Sequence, residues 1–161
     1  MPNIQLKNTG NESSRLRVFI DSDVLFAGSA SLNPHSASNV ILQMSEITLI
    51  KAIVSEQVIT EVTRNLMEKI PEALPAFRKL AGRCVEVVPD PSLEEVNQLR
   101  SRADWKDVPI LAAAKKAHCK YLLTFNTRDY RPGVPKILVL QPGDFLQEVR
   151  MRLAGLDQAG K

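Results

Sequence analysis

Apolar residues with β-branched and aromatic members run from Leu16 to Ile20 and stop at an acid, Asp21. Such a run reads as a buried strand. Ser22 to Ala30 reads as a helix, "LNPHS" interrupts it, and Ser36 or Ser38 is placed to cap a second helix through about Glu46. "ITLIKAIVS" is a second strand ending near Ser55, which is also a good N-cap for the helix after it. In "EQVITEVTRNLMEKI" the residues Val58, Val62, Leu66 and Ile70 share one helical face. Pro71 and Pro75 break and restart the helix, the second piece running to about Ala81 and ending at Gly82. "CVEVV" is a third strand, and Ser92 with Glu95 has the spacing of a capping box. "DWKDVPILAAAKKAHC" is the next helix, with Pro109 in its first turn. "KYLLTFN" and "KILVLQP" are the fourth and fifth strands, and "GDFLQEVRMRLAGL" is a closing helix.

Strands that alternate with helices in this way predict an α/β fold: a mostly parallel sheet covered by helices on both faces. The chain of 161 residues fits one domain, expected over 15–161, preceded by a polar N-terminal tail over 1–14. No apolar run is long enough to span a membrane and the N-terminus lacks a signal-peptide pattern, so a cytoplasmic protein is expected. Cys84 and Cys119 form no CxxC and read as small core residues. With only His35 and His118 available, zinc by the usual spacing is not expected. The net charge of +3 and the pI of about 9.0 suit a polyanionic partner without demanding one.

In a parallel sheet, ligands bind beyond the carboxyl ends of the strands. Asp21 stands at such an end, Glu61 is two turns into the helix after the second strand, Asp107 begins the helix before the fourth, and Asp129 follows the fourth. Asp23, Asp104 and Asn126 are close to these in sequence. Each has a plain alternative: Asp107 caps a helix, Glu61 is a solvated acid, Asp129 is a turn residue. Asp21 is harder to set aside, because an isolated carboxylate ending a buried strand is costly. Several acids at one sheet edge must protonate, pair with cations of the chain or bind metal. Oxygen donors of this kind suit Mg²⁺ or Mn²⁺, and a carboxylate cluster holding such ions is equipment for phosphodiester hydrolysis. Two histidines give no Ser-His-Asp set, and no Gly-rich phosphate loop is present.

"VFIDSDVLFAG", "SEQVITEVTRNL" and "WKDVPILAAAKKAHCKYLLTFNTRDY" resemble, in order and spacing, the successive motifs of the PIN domain ribonucleases, over roughly Arg17 to Gln141. The resemblance implies a three-layer α/β/α sandwich around a parallel sheet and a divalent-metal site. It matches the family's acids to Asp21, Glu61 and Asp107. The last acid is less clean: Asn126 stands where many members have Asp, so Asp129 is taken as the fourth, with Thr124 and Asn126 lining the site. Asp23 replaces a usual Asn, and Asp104 resembles an acid of one branch that supports the ligands from behind. The implied function is a Mg²⁺- or Mn²⁺-dependent endoribonuclease of the kind found as toxins in bacterial toxin–antitoxin pairs. Implied partners are RNA, an antitoxin protein and a second copy in a dimer. Arg64, Lys106, Arg128 and Arg131 are candidate phosphate contacts, with a solvated surface as the alternative. Trp105 either stacks on a base or staples its helix. Two other functions are weighed: a non-catalytic RNA-binding protein of the same fold, and a haloacid dehalogenase-type phosphatase using Asp21 of "FIDSDVL" as nucleophile.

Overall fold

The computed structural model describes residues 15–160. The tail expected over 1–14 lies outside the described residues. The elements are β1 (Leu16–Ile20), α1 (Ser22–Ala30), α2 (Ala37–Glu46), β2 (Ile50–Ser55), α3 (Glu56–Lys69), α4 (Leu74–Cys84), β3 (Val85–Val88), α5 (Leu93–Asn97), α6 (Val108–Lys116), β4 (Tyr121–Leu123), β5 (Leu138–Leu140) and α7 (Pro142–Ala159), with short 3₁₀ turns at Pro71–Ala73 and Thr127–Tyr130.

The five strands form one sheet in the order β3-β2-β1-β4-β5, and every pairing is parallel. β1 lies at the centre, and Val18, Phe19 and Ile20 are wholly buried, as a strand covered on both faces requires. Helices α1 to α4 and α7 pack among themselves, as do α5 and α6. With right-handed crossovers, the outward run β1-β2-β3 and the opposite run through β4 and β5 put these two groups on opposite faces. The result is the expected three-layer α/β/α sandwich with a central parallel sheet. No helix among the described residues is long and apolar enough to cross a membrane. Cys84 and Cys119 are free and buried, and burial pushes the Cys119 thiol up to about 12, which leaves it unreactive.

Element boundaries differ from the sequence pattern where local rules meet tertiary structure. The second strand begins at Ile50, because Ile47 and Leu49 are exposed in the turn after α2. Gly82 does not end α4, which continues to Cys84; its backbone has open space around it and no positive φ. α7 runs on to Ala159, and β4 stops at Leu123, three residues earlier than its apolar pattern. The helix expected from Asp104 starts at Val108, with Asp104 to Lys106 in the turn before it.

Candidate active site

The chain leaves β1 toward β2 and β3 on one side, and leaves β4 toward β5 on the other. The strand order therefore reverses between β1 and β4, and the crevice beyond their carboxyl ends is where open α/β sheets bind ligands. Asp21 is the first residue past β1. Its backbone N–H donates to the Leu123 carbonyl at 3.0 Å, which extends the β1–β4 ladder by one step and fixes the carboxylate on a rigid element. Thr124, the first residue past β4, is fully buried.

The Asp21 side chain is only 7% exposed. Its Oδ1 accepts from the Ser22 N–H at 2.8 Å, and its Oδ2 accepts from the Tyr130 hydroxyl at 2.7 Å. Burial, and then the neighbouring Asp23 charge, raise its pKa from 3.8 to about 6, against the lowering effect of these two donors. Tyr130 is 2% exposed, and burial next to this acid drives its phenol far above the ordinary range, so it remains a donor. Sequence spacing did not point to Tyr130. The signal available was an aromatic in a polar loop, which when buried must find an acceptor for its hydroxyl.

Asp107 occupies the N-cap position of α6 but makes no capping bond. The cause is in the sequence. An N-cap side chain accepts from the second or third helical N–H. The second position here is Pro109, which has no N–H, and the Ile110 N–H bonds the Asp107 backbone carbonyl at 3.1 Å. The carboxylate is thus left free, and its Oδ2 is buried without any hydrogen-bond partner. Burial first, then the Asp21 charge, raise the Asp107 pKa from 3.8 to about 6; Asp129 and Asp104 push the same way. The plain capping alternative does not describe this residue.

Backbone bonds gather the remaining acids. The Asp107 N–H donates to the Asp104 carbonyl at 2.8 Å, Asp104 donates to Asp129 at 2.6 Å, and Asp129 donates to Asn126 at 3.1 Å. Lys106 pairs with Asp129 at 3.6 Å. Its ammonium is held charged most of all by Asp107 and next by Asp129. Asp23 braces the two strand exits: its Oδ2 accepts from the Phe125 N–H at 2.9 Å and from the Thr124 hydroxyl at 3.3 Å. Thr124 Oγ1 in turn accepts from the Asn126 N–H at 3.1 Å.

Glu61 is half-buried on α3 and accepts from Gln57 Nε2 at 3.0 Å, one turn back on the same helix. Arg64, Arg128 and Arg131 are exposed. Trp105 is 84% exposed, so it does not staple α6. A cavity of about 1040 Å³ lies elsewhere, at the opposite ends of β4 and β5, between Arg102, Lys115, Lys120 and Lys136 over Leu99 and Ile137. Its lining residues include no carboxylate, unlike the crevice at the exits of β1 and β4.

Among the described residues, no three His, Cys, Asp or Glu side chains are grouped to hold a metal ion by themselves. The Asp21–Asp107 pair nevertheless fits a hard divalent cation: two repelling carboxylates, one with an orphaned buried oxygen. Mg²⁺ commonly takes one or two carboxylates, keeps several waters and accepts substrate phosphate oxygens. Asp129 and Glu61 would then act through water.

Among solved structures the chain is similar to VapBC2 from Rickettsia felis, solved bound to a DNA fragment from their promoter, with 12% identity, a TM-score of 0.61 and coverage of 77% of this chain and 97% of that one. It is also similar to PAE2754 from Pyrobaculum aerophilum, with 15% identity, a TM-score of 0.57 and coverage of 87% and 96%. These likenesses bear on the fold. No curated protein matches the sequence. The family model for the PIN domain matches residues 17–128, which include Asp21, Glu61 and Asp107 and leave the dehalogenase-type reading of "FIDSDVL" without support. The chain therefore belongs to the PIN domain family.

Proposed function

We propose that this protein is a metal-dependent endoribonuclease that hydrolyses RNA phosphodiester bonds, and that it acts as the toxin of a toxin–antitoxin pair. The observation that carries the proposal is the Asp21–Asp107 pair at the switch point, with both pKa values near 6 and Asp107 Oδ2 buried and unpartnered. A fold that retained Asp107 only for stability would give its buried oxygen a donor. Family membership and the likeness to VapBC2 support the toxin assignment, with an antitoxin as partner.

Asp21 and Asp107 would hold Mg²⁺ or Mn²⁺, with Asp129 and Glu61 contributing through water. A bound divalent ion supplies Lewis acidity, which lowers the pKa of the attacking water and offsets charge on the phosphoryl oxygens. The chain's own groups do the rest. Tyr130 holds Asp21 Oδ2 in one orientation, and Asp23 locks the exits of β1 and β4 together. Lys106, Arg128 and Arg131 would hold the strand by its phosphates. The attacking water gives up a proton as its oxygen bonds to phosphorus, the ester P–O bond breaks, and the leaving ribose oxygen takes up a proton, so that one water is consumed with no net proton change.

The test is cleavage of labelled single-stranded RNA with Mg²⁺ or Mn²⁺ and with chelator, for the parent chain and Asp21→Asn. Cleavage that requires metal and disappears in the variant supports the assignment. Metal-independent cleavage, or full activity in Asp21→Asn, rejects it. Tyr130→Phe is a finer probe. It removes a donor that stabilises the charged form of Asp21, so the Asp21 pKa rises further. Activity at neutral pH should fall about tenfold, in the range seen when partners of metal ligands are removed. The acid limb of the pH–rate profile should move to higher pH. An unchanged limb would mean that the Asp21–Tyr130 bond does not bear on the reaction.

A further inference from the structure

The sequence contains one Trp, two Tyr and five Phe, all among the described residues. Phe19, Phe77, Phe145, Tyr121 and Tyr130 are buried, and Phe26 packs partly against the core. The two that remain are Trp105, 84% exposed, and Phe125, 44% exposed. Each stands on a segment that carries residues of the acid site, Trp105 between Asp104 and Asp107 and Phe125 with its N–H bound by Asp23. Scattered exposed leucines elsewhere on the surface need no explanation; exposed aromatics confined to the rim of one polar site do.

Both rings are carried on firmly held backbone. The Phe125 N–H is bound by Asp23 at 2.9 Å, and the Phe125 carbonyl accepts from Gln141 Nε2 at 3.5 Å. Trp105 lies between Asp104, whose N–H is bound by Asp129 at 2.6 Å, and Lys106, whose ammonium pairs with Asp129 at 3.6 Å. Two residues further on is Asp107. The segments that present the acids therefore also present the rings, one from the turn before α6 and one from the exit of β4.

Resting on the assignment of this site to RNA, we infer that Trp105 and Phe125 are stacking platforms for unpaired bases flanking the phosphate held at the acids. Stacking suits this position because every base offers a π-face, while cations on the rim hold the backbone. Paired A-form RNA keeps its base faces stacked on one another and could not use the platforms. Lys106 and Arg128, each next to a rim or acid residue in sequence, supply the positive charge.

Trp105 is the chain's only tryptophan, so its emission reports on this site alone. The experiment titrates the full-length chain, in chelator to prevent hydrolysis, with a single-stranded RNA oligonucleotide, the same strand in duplex, and a ribose-phosphate strand of equal length without bases. Single-stranded RNA should quench the emission saturably; the duplex and the abasic strand should not. Trp105→Ala and Phe125→Ala should each weaken single-stranded RNA binding about tenfold and leave abasic-strand binding unchanged, which also shows that the variants are folded. Emission unmoved by single-stranded RNA, or equal affinity for the strands with and without bases, overturns the inference. So does an emission change that depends on protein concentration without RNA, which would assign the rim to a second copy of the chain. Failure here is separable from failure of the nuclease assignment. Cleavage by Trp105→Ala with an unaltered KM removes the platforms and leaves the nuclease. Quenching by single-stranded RNA without metal-dependent cleavage does the reverse.

Discussion

Asp107→Asn is expected to reduce metal-dependent RNA cleavage by about 10²- to 10³-fold, the range found when one preorganised electrostatic group is removed from an active site, while leaving the metal-free protein folded and more stable at neutral pH. Both effects have one cause. Asp107 Oδ2 is buried with no partner, and the carboxylate is destabilised by burial and by the charges of Asp21, Asp129 and Asp104. In the absence of a cation that arrangement works against the fold. Asparagine keeps the shape, removes the charge and the repulsion, and costs no helix cap, since the native side chain makes no capping bond. A gain of about 1 kcal/mol is reasonable for removing a half-buried, repelled charge, discounted for solvent screening and for the amide that still lacks a partner there. A purely structural acid would behave oppositely, losing stability and affecting activity only through unfolding. Thermal denaturation in chelator, run beside the cleavage assay, separates the cases. An Asp107→Asn protein that is less stable than the parent and still cleaves in proportion to its folded fraction would remove Asp107 from the site.

Much of this site is legible in the amino-acid sequence. A buried strand that ends on a carboxylate has few structural explanations, and Asp21 is the most buried acid at a switch point. The alternation of strands and helices is enough for the layers, because parallel strands leave little choice of connection. Asp107 is ambiguous as a helix cap. The deciding detail, that Pro109 removes the donor a capping side chain would use, is itself written in the sequence and comes from proline chemistry. Other features are not legible. Tyr130 reaches Asp21 across 109 positions, and no local rule connects them. Asp23, in the place of a usual Asn, is a brace between β1 and β4 exits, a role fixed by tertiary contacts with Phe125 and Thr124. Glu61 is placed with the acids by motif order alone, and the hydrogen bond it makes in the structure, to Gln57 on its own helix, is one that helical spacing already allows. Gly82 illustrates why helix ends are hard to read, since a glycine stops a helix only where a left-handed turn is needed, and there is none after it here.

The stability of the metal-free protein should fall as pH rises from about 4 to about 7, against the usual trend for carboxylates. The sign comes from linkage. An ordinary salt-bridged Asp is lowered in the folded state and contributes stability above its unfolded pKa. Asp21 and Asp107 are raised, from 3.8 to about 6, so the folded chain holds their protons more tightly than the unfolded chain does. Their contribution is fully present below about 4 and is lost as pH passes through about 6. Asp23 is raised as well, chiefly by burial, and adds in the same direction. Glu95 is lowered by the Ser92 N–H and opposes them from the surface. At ~1.36 kcal/mol per pH unit, one such displacement is worth about 3 kcal/mol. Asp107 is partly exposed and its share is screened, and the mutual repulsion must not be counted twice. A total of about 3 kcal/mol, or about 10 °C in Tm for a chain of this size, is the expected loss in chelator. Saturating Mg²⁺ or Mn²⁺ at pH 7 should return much of it, since a ligand at 100 times its Kd stabilises by about 2.7 kcal/mol. Asp107→Asn should make the pH dependence shallower, leaving the part that burial of Asp21 and Asp23 supplies, and abolish the metal-induced rise. A parent Tm that is constant from pH 4.5 to 7 in chelator would show that the two acids do not share the buried, repulsive surroundings inferred for them. A slope that persists unchanged with metal present would show that the cation does not bind between them.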